Sequence, residues 1–326
     1  MGIALEYFQI NGYDISEHNG EIIFEKVKCD FLAIRVGYGK VTDLQFKRNW
    51  AAAKGRVKRI PYWYLDYYSN HLAGSSVNGM ADAAWGKLQA EVCWALLKDD
   101  PEAIVFLDIE NGNPKYAPPL TDATTKKRAQ IIARAFLERI DQLNGKFNGI
   151  YTSVGWLPWF GAWFKDRPLW VAWYNETKTV LQVKAAVSAA GWTGALLIWQ
   201  YAMDGDINDD GFSDAASVGM ESKTLDLNGF IGTPSQYSEL FGGPVIITPE
   251  DEIPETPPAE ESAVTLWQIT AEKSLFIRAQ PTKQSTELGH YYPTSTPVYI
   301  DEIIDGWGHV YGQDSYICLT YAKQIK

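Results

Sequence analysis

Residues 248–262 read TPEDEIPETPPAEES, with six acids and four prolines in fifteen positions. A stretch this polar and self-repelling buries too little apolar surface to fold, and its prolines hold it extended. It predicts two folded parts, residues 1–240 and 263–326, joined by a linker over 241–262. The chain of 326 residues, 46% hydrophobic and 21% charged, has the composition of folded domains.

In the long part, short apolar runs alternate with amphipathic stretches. Strands are predicted at 12–15, 31–36, 60–65, 103–109, 149–152, 169–173 and 195–201. Runs such as AIVFL and ALLIW are apolar throughout, as in strands covered on both faces of a parallel sheet. Helices are predicted at 80–98, where Ala84, Leu88 and Val92 recur every four residues, and at 124–143, with Thr121 and Asp122 as caps. This alternation predicts the α/β class, as an irregular TIM-like (β/α) barrel, whose chemistry belongs at the carboxyl ends of its strands.

Asp14 ends one such strand, and Asp108 and Glu110 end another. Side chains alternate along a strand, so Asp108 and Glu110 share a face about 7 Å apart along the backbone. Two partly desolvated acids on one face repel, which raises at least one pKa. Glycoside hydrolysis needs this separation: one carboxyl keeps its proton for the leaving oxygen while another stays ionised. Asp226 in Leu225-Asp226-Leu227-Asn228 is placed after the last strand as a further acid. Any one of these could cap a helix or sit in a solvated loop, but three strand-end clusters in one barrel favour a site.

Other chemistries find little support. A net charge of −11 lacks the basic footprint of a nucleic-acid binder. No apolar run reaches the ~20 residues of a membrane span, and the N-terminus lacks the basic flank and apolar stretch of a secretory signal. Cys29, Cys93 and Cys318 are scattered and odd in number, and His18, His71, His290 and His309 show no zinc-ligand spacing. Neither a GxSxG elbow nor a phosphate-binding glycine loop occurs. Acid–base hydrolysis without metal or cofactor is what the inventory allows. The 13 Trp, 18 Tyr and 13 Phe can fill a core or line a sugar groove. Tyr62, Tyr64, Tyr151, Trp173 and Tyr174, on or at the ends of predicted strands, are candidate sugar contacts, with core packing as the alternative; Gln200 joins them as a candidate binding residue.

Gly12-Tyr13-Asp14-Ile15-Ser16, His18-Asn19-Gly20, Ala33-Ile34-Arg35-Val36-Gly37-Tyr38-Gly39, then Asp43, Phe46 and Asn49, resemble glycoside hydrolase family 25, the muramidases of phages and bacteria. The order continues through Leu107-Asp108-Ile109-Glu110, Gly149-Ile150-Tyr151-Thr152, Leu169–Tyr174, Ile198-Trp199-Gln200-Tyr201 and Leu225–Asn228, covering most of residues 10–232. The resemblance implies cleavage of the β-1,4 bond between N-acetylmuramic acid and N-acetylglucosamine in peptidoglycan. Glu110 would be the general acid/base, Asp108 the residue that orients the substrate N-acetyl group or stabilises the oxazolinium-like charge, and Asp14 and Asp226 the accompanying acids. Chitinase-like barrels of family 18 also end a strand in DxE, but they carry aspartates where this chain has Phe106 and Ala103. A non-catalytic peptidoglycan-binding barrel is the alternative, against which the crowded carboxylates argue.

Residues 204–214 form an acidic insertion in which Asp206, Asn208, Asp210 and Asp214 resemble the first positions of a calcium loop. Ser217 stands where the bidentate Glu would be, so a solvated loop is expected. In the short part, Ser274–Ala279, Pro281, Gly306-Trp307 and Val310 resemble a bacterial Src-homology-3-like module, a small all-β barrel. Phe276 replaces the usual polar residue, and Tyr316-Ile317 the usual closing Gly-Trp. Such a module implies docking on wall peptide or glycan, with Tyr291, Tyr292 and Trp307 as candidate contacts. Without a secretory signal, the family resemblance implies an endolysin made in the cytoplasm and released through a holin.

Overall fold

The computed structural model describes residues 7–174, 178–241, 265–271, 275–291, 298–310 and 315–325. The expected linker beyond Phe241, the N-terminal six residues, Tyr292 and the side chain of Tyr291 lie outside that description. The chain divides into two compact units, Met1–Ile246 and Ile247–Lys326.

The first unit runs β1 (Asn11–Ile15), β2 (Phe31–Tyr38), β3 (Val41–Thr42), α1 (Phe46–Ala53), β4 (Lys58–Tyr64), α2 (Asp82–Leu97), β5 (Phe106–Asp108), α3 (Ala123–Asn144), β6 (Gly149–Ser153), β7 (Leu169–Ala172), α4 (Val180–Ala189), β8 (Leu196–Ala202), β9 (Asp226–Phe230) and α5 (Pro234–Phe241). Eight strands close a barrel in the order β1-β2-β4-β5-β6-β7-β8-β9, and β3 extends β2 at its edge. All seven predicted strands are present, and the irregularity lies at closure. Residues 226–230, beyond the last predicted strand, form a further strand antiparallel to both β1 and β8. The alternation is legible there: Leu225 and Leu227 join the outer apolar layer, whereas Phe230 joins the barrel interior.

Two apolar layers hold the barrel. Inside, Phe31, Ile60, Phe106, Trp170 and Ile198 pack with Leu240 and Phe241 of α5. Outside, Leu32, Trp63, Leu107, Ile150, Val171 and Trp199 meet the helices, where Trp63 stacks on Phe136 of α3. Asp122 caps α3, its Oδ2 accepting from Thr125 N at 2.8 Å, and Gly145 ends the helix with φ of 68°. Among the described residues no helix is long and apolar enough to cross a membrane.

The second unit contains β10 (Thr265–Ile269), β11 (Leu275–Arg278), β12 (Glu287–Tyr291), β13 (Val298–Ile304), β14 (Trp307–Val310), β15 (Tyr316–Cys318) and β16 (Ala322–Ile325). They form one antiparallel sheet in the order β12-β11-β15-β14-β13-β10-β16. Ile269, Leu275, Val298, Ile300, Val310 and Ile317 make its core. A small all-β unit is thus present after the acidic stretch.

Candidate active site

Strand alternation turns Asp14 of β1, Arg35 of β2, Tyr62 of β4, Asp108 of β5, Tyr151 of β6 and Gln200 of β8 into the barrel at the carboxyl ends of these parallel strands. Because β9 runs the other way, its first residue reaches that same end, and Asp226 lies directly opposite Asp14 in the register. β5 is shorter than predicted, yet Ile109 N still donates to Tyr151 O at 3.0 Å, so the chain follows the strand path up to Glu110. Sequence segments far apart thereby bring four acids to one mouth.

Asp14 is buried, and its Oδ2 accepts from Gln200 Nε2 and from Asn228 Nδ2, each at 2.7 Å. Both amides are oriented by further donors. Tyr151 OH and Tyr174 OH donate to Gln200 Oε1 at 2.7 and 2.6 Å, and Trp170 Nε1 donates to Asn228 Oδ1 at 2.8 Å. Asp14 also shares a side-chain hydrogen bond with Asp226. Asp108 is buried too, and its Oδ1 has no hydrogen-bond partner among the described residues.

The electrostatics follow from this crowding. Burial pushes Asp108 well above the usual carboxylate range, and the charges of Glu110, Asp14 and Asp226 add to it while Arg35 opposes. Asp226 is pushed up to about 9 by burial, by the Asp14 charge and by its hydrogen bond to Asp14. Burial raises Asp14 as well, while the Asn228 and Gln200 amides and Asp226 pull it back down. Glu110 has an exposed surface at the mouth, yet protein encloses much of its carboxyl; that enclosure and the Asp14 charge raise it. Arg35 is held by Asp43 at 2.8 Å and Glu17 at 3.0 Å, so its cation is fixed at the edge of the acids.

The aromatic candidates divide. Tyr62 and Tyr151 are almost fully buried, stand edge-on to Trp170 and line the wall below the acids. Tyr64 is half-buried beside Asp108 and Glu110, donating to Asn111 O at 3.2 Å. Tyr174 leaves 47% of its surface open, the most exposed ring of the group. Trp173 is not brought to the acids: with Ala172 facing inward, its ring turns to the outer layer, where Lys178 Nζ lies 4.8 Å from the ring centroid. Gln200, expected as a binding residue, has its amide committed to Asp14 and the two tyrosines. Arg35, Trp170 and Asn228 were not singled out as site residues, although Asn228 follows Asp226 by two positions and so shares its face.

In the acidic insertion, Asp206 accepts from Asp210 N and Gly211 N at 3.0 and 2.7 Å, and Asp210 from Phe212 N at 2.9 Å. These carboxylates satisfy the loop's own backbone. Among the described residues no group of three or more His, Cys, Asp or Glu side chains is placed to hold a metal ion. In the second unit Trp307 is half-buried and Phe276 exposed.

The family model of glycosyl hydrolases family 25 matches residues 13–210. The chain belongs to this family. It is accordingly a glycoside hydrolase, with the family's TIM-like barrel. The barrel resembles a family 25 glycosyl hydrolase from Bacillus anthracis, at 16% identity and a TM-score of 0.52, covering 74% of this chain and 97% of that one. A bacterial lysozyme from Streptomyces coelicolor has 20% identity and a TM-score of 0.48 over 71% of this chain and 96% of its own. A family 25 lysozyme from Aspergillus fumigatus has 22% identity and a TM-score of 0.48 over 72% and 99%. No curated protein matches the chain in sequence. Asp226 lies beyond the family match, after the acidic insertion.

Proposed function

We propose that this glycoside hydrolase is an N-acetylmuramidase cutting the β-1,4 bond between N-acetylmuramic acid and N-acetylglucosamine in bacterial peptidoglycan. The observation that carries the proposal is the convergence of Asp14, Asp108, Glu110 and Asp226 at one end of the barrel, with raised carboxyl pKa values. Glu110, raised and open to the mouth, holds a proton for the glycosidic oxygen. Asp108 accepts the N–H of the substrate's N-acetyl group through Oδ1, an atom left free by the protein. The acetamido oxygen attacks C1 as the bond to the leaving oxygen breaks, forming an oxazolinium ion. Glu110, now ionised, takes a proton from the water that opens that ion, giving net retention. Tyr62, Tyr64, Tyr151 and Tyr174 supply the walls and rim of the sugar groove.

The second unit serves as a Src-homology-3-like anchor on wall peptide or glycan, raising the local enzyme concentration at the substrate. The cellular role that fits is that of an endolysin reaching the wall through a holin. Digestion of purified peptidoglycan with borohydride labelling of the new reducing ends tests the chemistry. Labelled muramic acid supports it; labelled glucosamine, or wall binding without cleavage, overturns it.

A further inference from the structure

The hydrogen bonds around Asp14 are directional, and their direction assigns charge. Tyr151 OH and Tyr174 OH both donate to Gln200 Oε1. The amide is then left with Nε2 toward Asp14, where it can only donate. Trp170 Nε1, a donor alone, fixes Asn228 in the same sense. Asp14 Oδ2 therefore receives two N–H donors, and the one from Asn228 is oriented by a donor-only indole independently of Asp14. Two N–H bonds to one carboxyl oxygen favour the ionised carboxylate over the protonated acid. Asp226 stands opposite Asp14 across the β1–β9 pair and is hydrogen-bonded to it.

We propose that Gln200 is a positioning residue, locked by Tyr151 and Tyr174, that keeps Asp14 ionised and leaves the proton of the Asp14–Asp226 pair on Asp226. It rests on the muramidase reading only for its consequence. The fixed charge on Asp14 helps Glu110 retain its proton, whereas a fully ionised pair would crowd the mouth with one further charge. The charged and titratable groups facing the pair are Arg35 from β2, Tyr62 from β4, Asp108 and Glu110 from β5 and the turn after it, Tyr151 from β6 and Tyr174 after β7. Arg35 is committed to Asp43 and Glu17, which leaves the two amides as the direct donors to Asp14 Oδ2. The Asp14–Asp226 pair thus holds one negative charge, on Asp14.

The test is a carboxyl-carbon NMR titration of the full chain labelled at aspartate Cγ, with Asp14→Asn and Asp226→Asn assigning the two signals. In the wild type, Asp14 is expected to be ionised and Asp226 protonated at neutral pH. In Gln200→Met, which keeps volume but donates nothing, the Asp14 transition should move up by about one pH unit, the worth of one charge-assisted hydrogen bond. The acid limb of kcat/KM on peptidoglycan should move with it. Should Gln200→Met fail to fold, Tyr174→Phe, at a half-exposed position, removes one pin on the amide and should shift Asp14 in the same direction by less. An Asp14 transition that stays put or falls in the folded variant, or a wild type with both carboxyls ionised at neutral pH, overturns the proposal. Because the titration needs no substrate, it stands apart from the muramidase assignment, which fails separately if the wild type releases no muramic acid ends.

Discussion

Asp226→Asn should make the barrel more stable, by an amount that grows with pH. In the folded chain Asp226 is pushed up to about 9 from an ordinary 3.8, so between these values the native state holds a proton that the unfolded state has lost. A carboxyl raised in the native state contributes its stability below its unfolded pKa and loses it as pH rises toward the native one. Each pH unit in that window is worth up to ~1.4 kcal/mol, and from pH 5 to pH 8 that amounts to ~4 kcal/mol. Asp226 is only partly buried, and solvent screening reduces this to ~2 kcal/mol as the expected difference between the asparagine variant's advantage at pH 8 and at pH 5. Asparagine keeps the shape and can still donate to Asp14, so little is lost elsewhere. Denaturant unfolding of the full chain at both pH values, followed by tryptophan fluorescence, reads this; most of the tryptophans lie in the barrel. In heat, ~2 kcal/mol corresponds to about 4–8 °C in Tm for a unit of this size. Parallel stability curves for the two proteins, or a variant weaker at pH 8, would refute the reasoning.

Three further outcomes follow from the structure. Gly149→Ala places a methyl carbon 2.6 Å from the Phe106 ring and 2.9 Å from Pro168 O, and should destabilise the barrel by about 1–3 kcal/mol in the same unfolding assay. Asp43 is buried and accepts from Arg35 Nε, Glu17 N and Gln45 N; Asp43→Ala should cost about 3–5 kcal/mol and, by loosening Arg35, raise the Asp108 carboxyl further, visible in a carboxyl titration. With a net charge of −11, the chain gains little steering toward an anionic wall, so wall binding should change only modestly as salt is added in a sedimentation assay.

Much of this architecture is written in local pattern. The apolar runs AIVFL and ALLIW suit strands covered on both faces, as β5 and β8 are, and the four-residue recurrence at 80–98 marks α2. Period two along the strands was enough to bring Asp108 and Glu110 to one face. The closing strand was harder to see because Asp226-Leu227-Asn228-Gly229 carries two polar residues and a glycine, a composition that reads as a turn. Its strand character comes from pairing on both sides with β1 and β8, which is long-range information. Trp173 went astray through a one-residue shift of phase: it sits beside Ala172, and the inward and outward faces exchange at each step. Gln200 was expected only as a binding residue; its two tyrosine partners come from β6 and from the segment after β7, so its role could not be read locally. Arg35 carried a comparable signal, a lone charge inside β2, and its meaning likewise depends on Asp43 and Glu17 folding around it.

The most direct test of the central claim compares wild type with Glu110→Gln on purified peptidoglycan, reading reducing ends after borohydride labelling and wall binding in parallel. The account predicts labelled muramic acid from the wild type and a loss of about 10²–10⁴-fold in its rate of appearance in the variant, the typical contribution of a general acid, with wall binding retained. Equal rates from the two proteins, or glucosamine at the new ends, would contradict it.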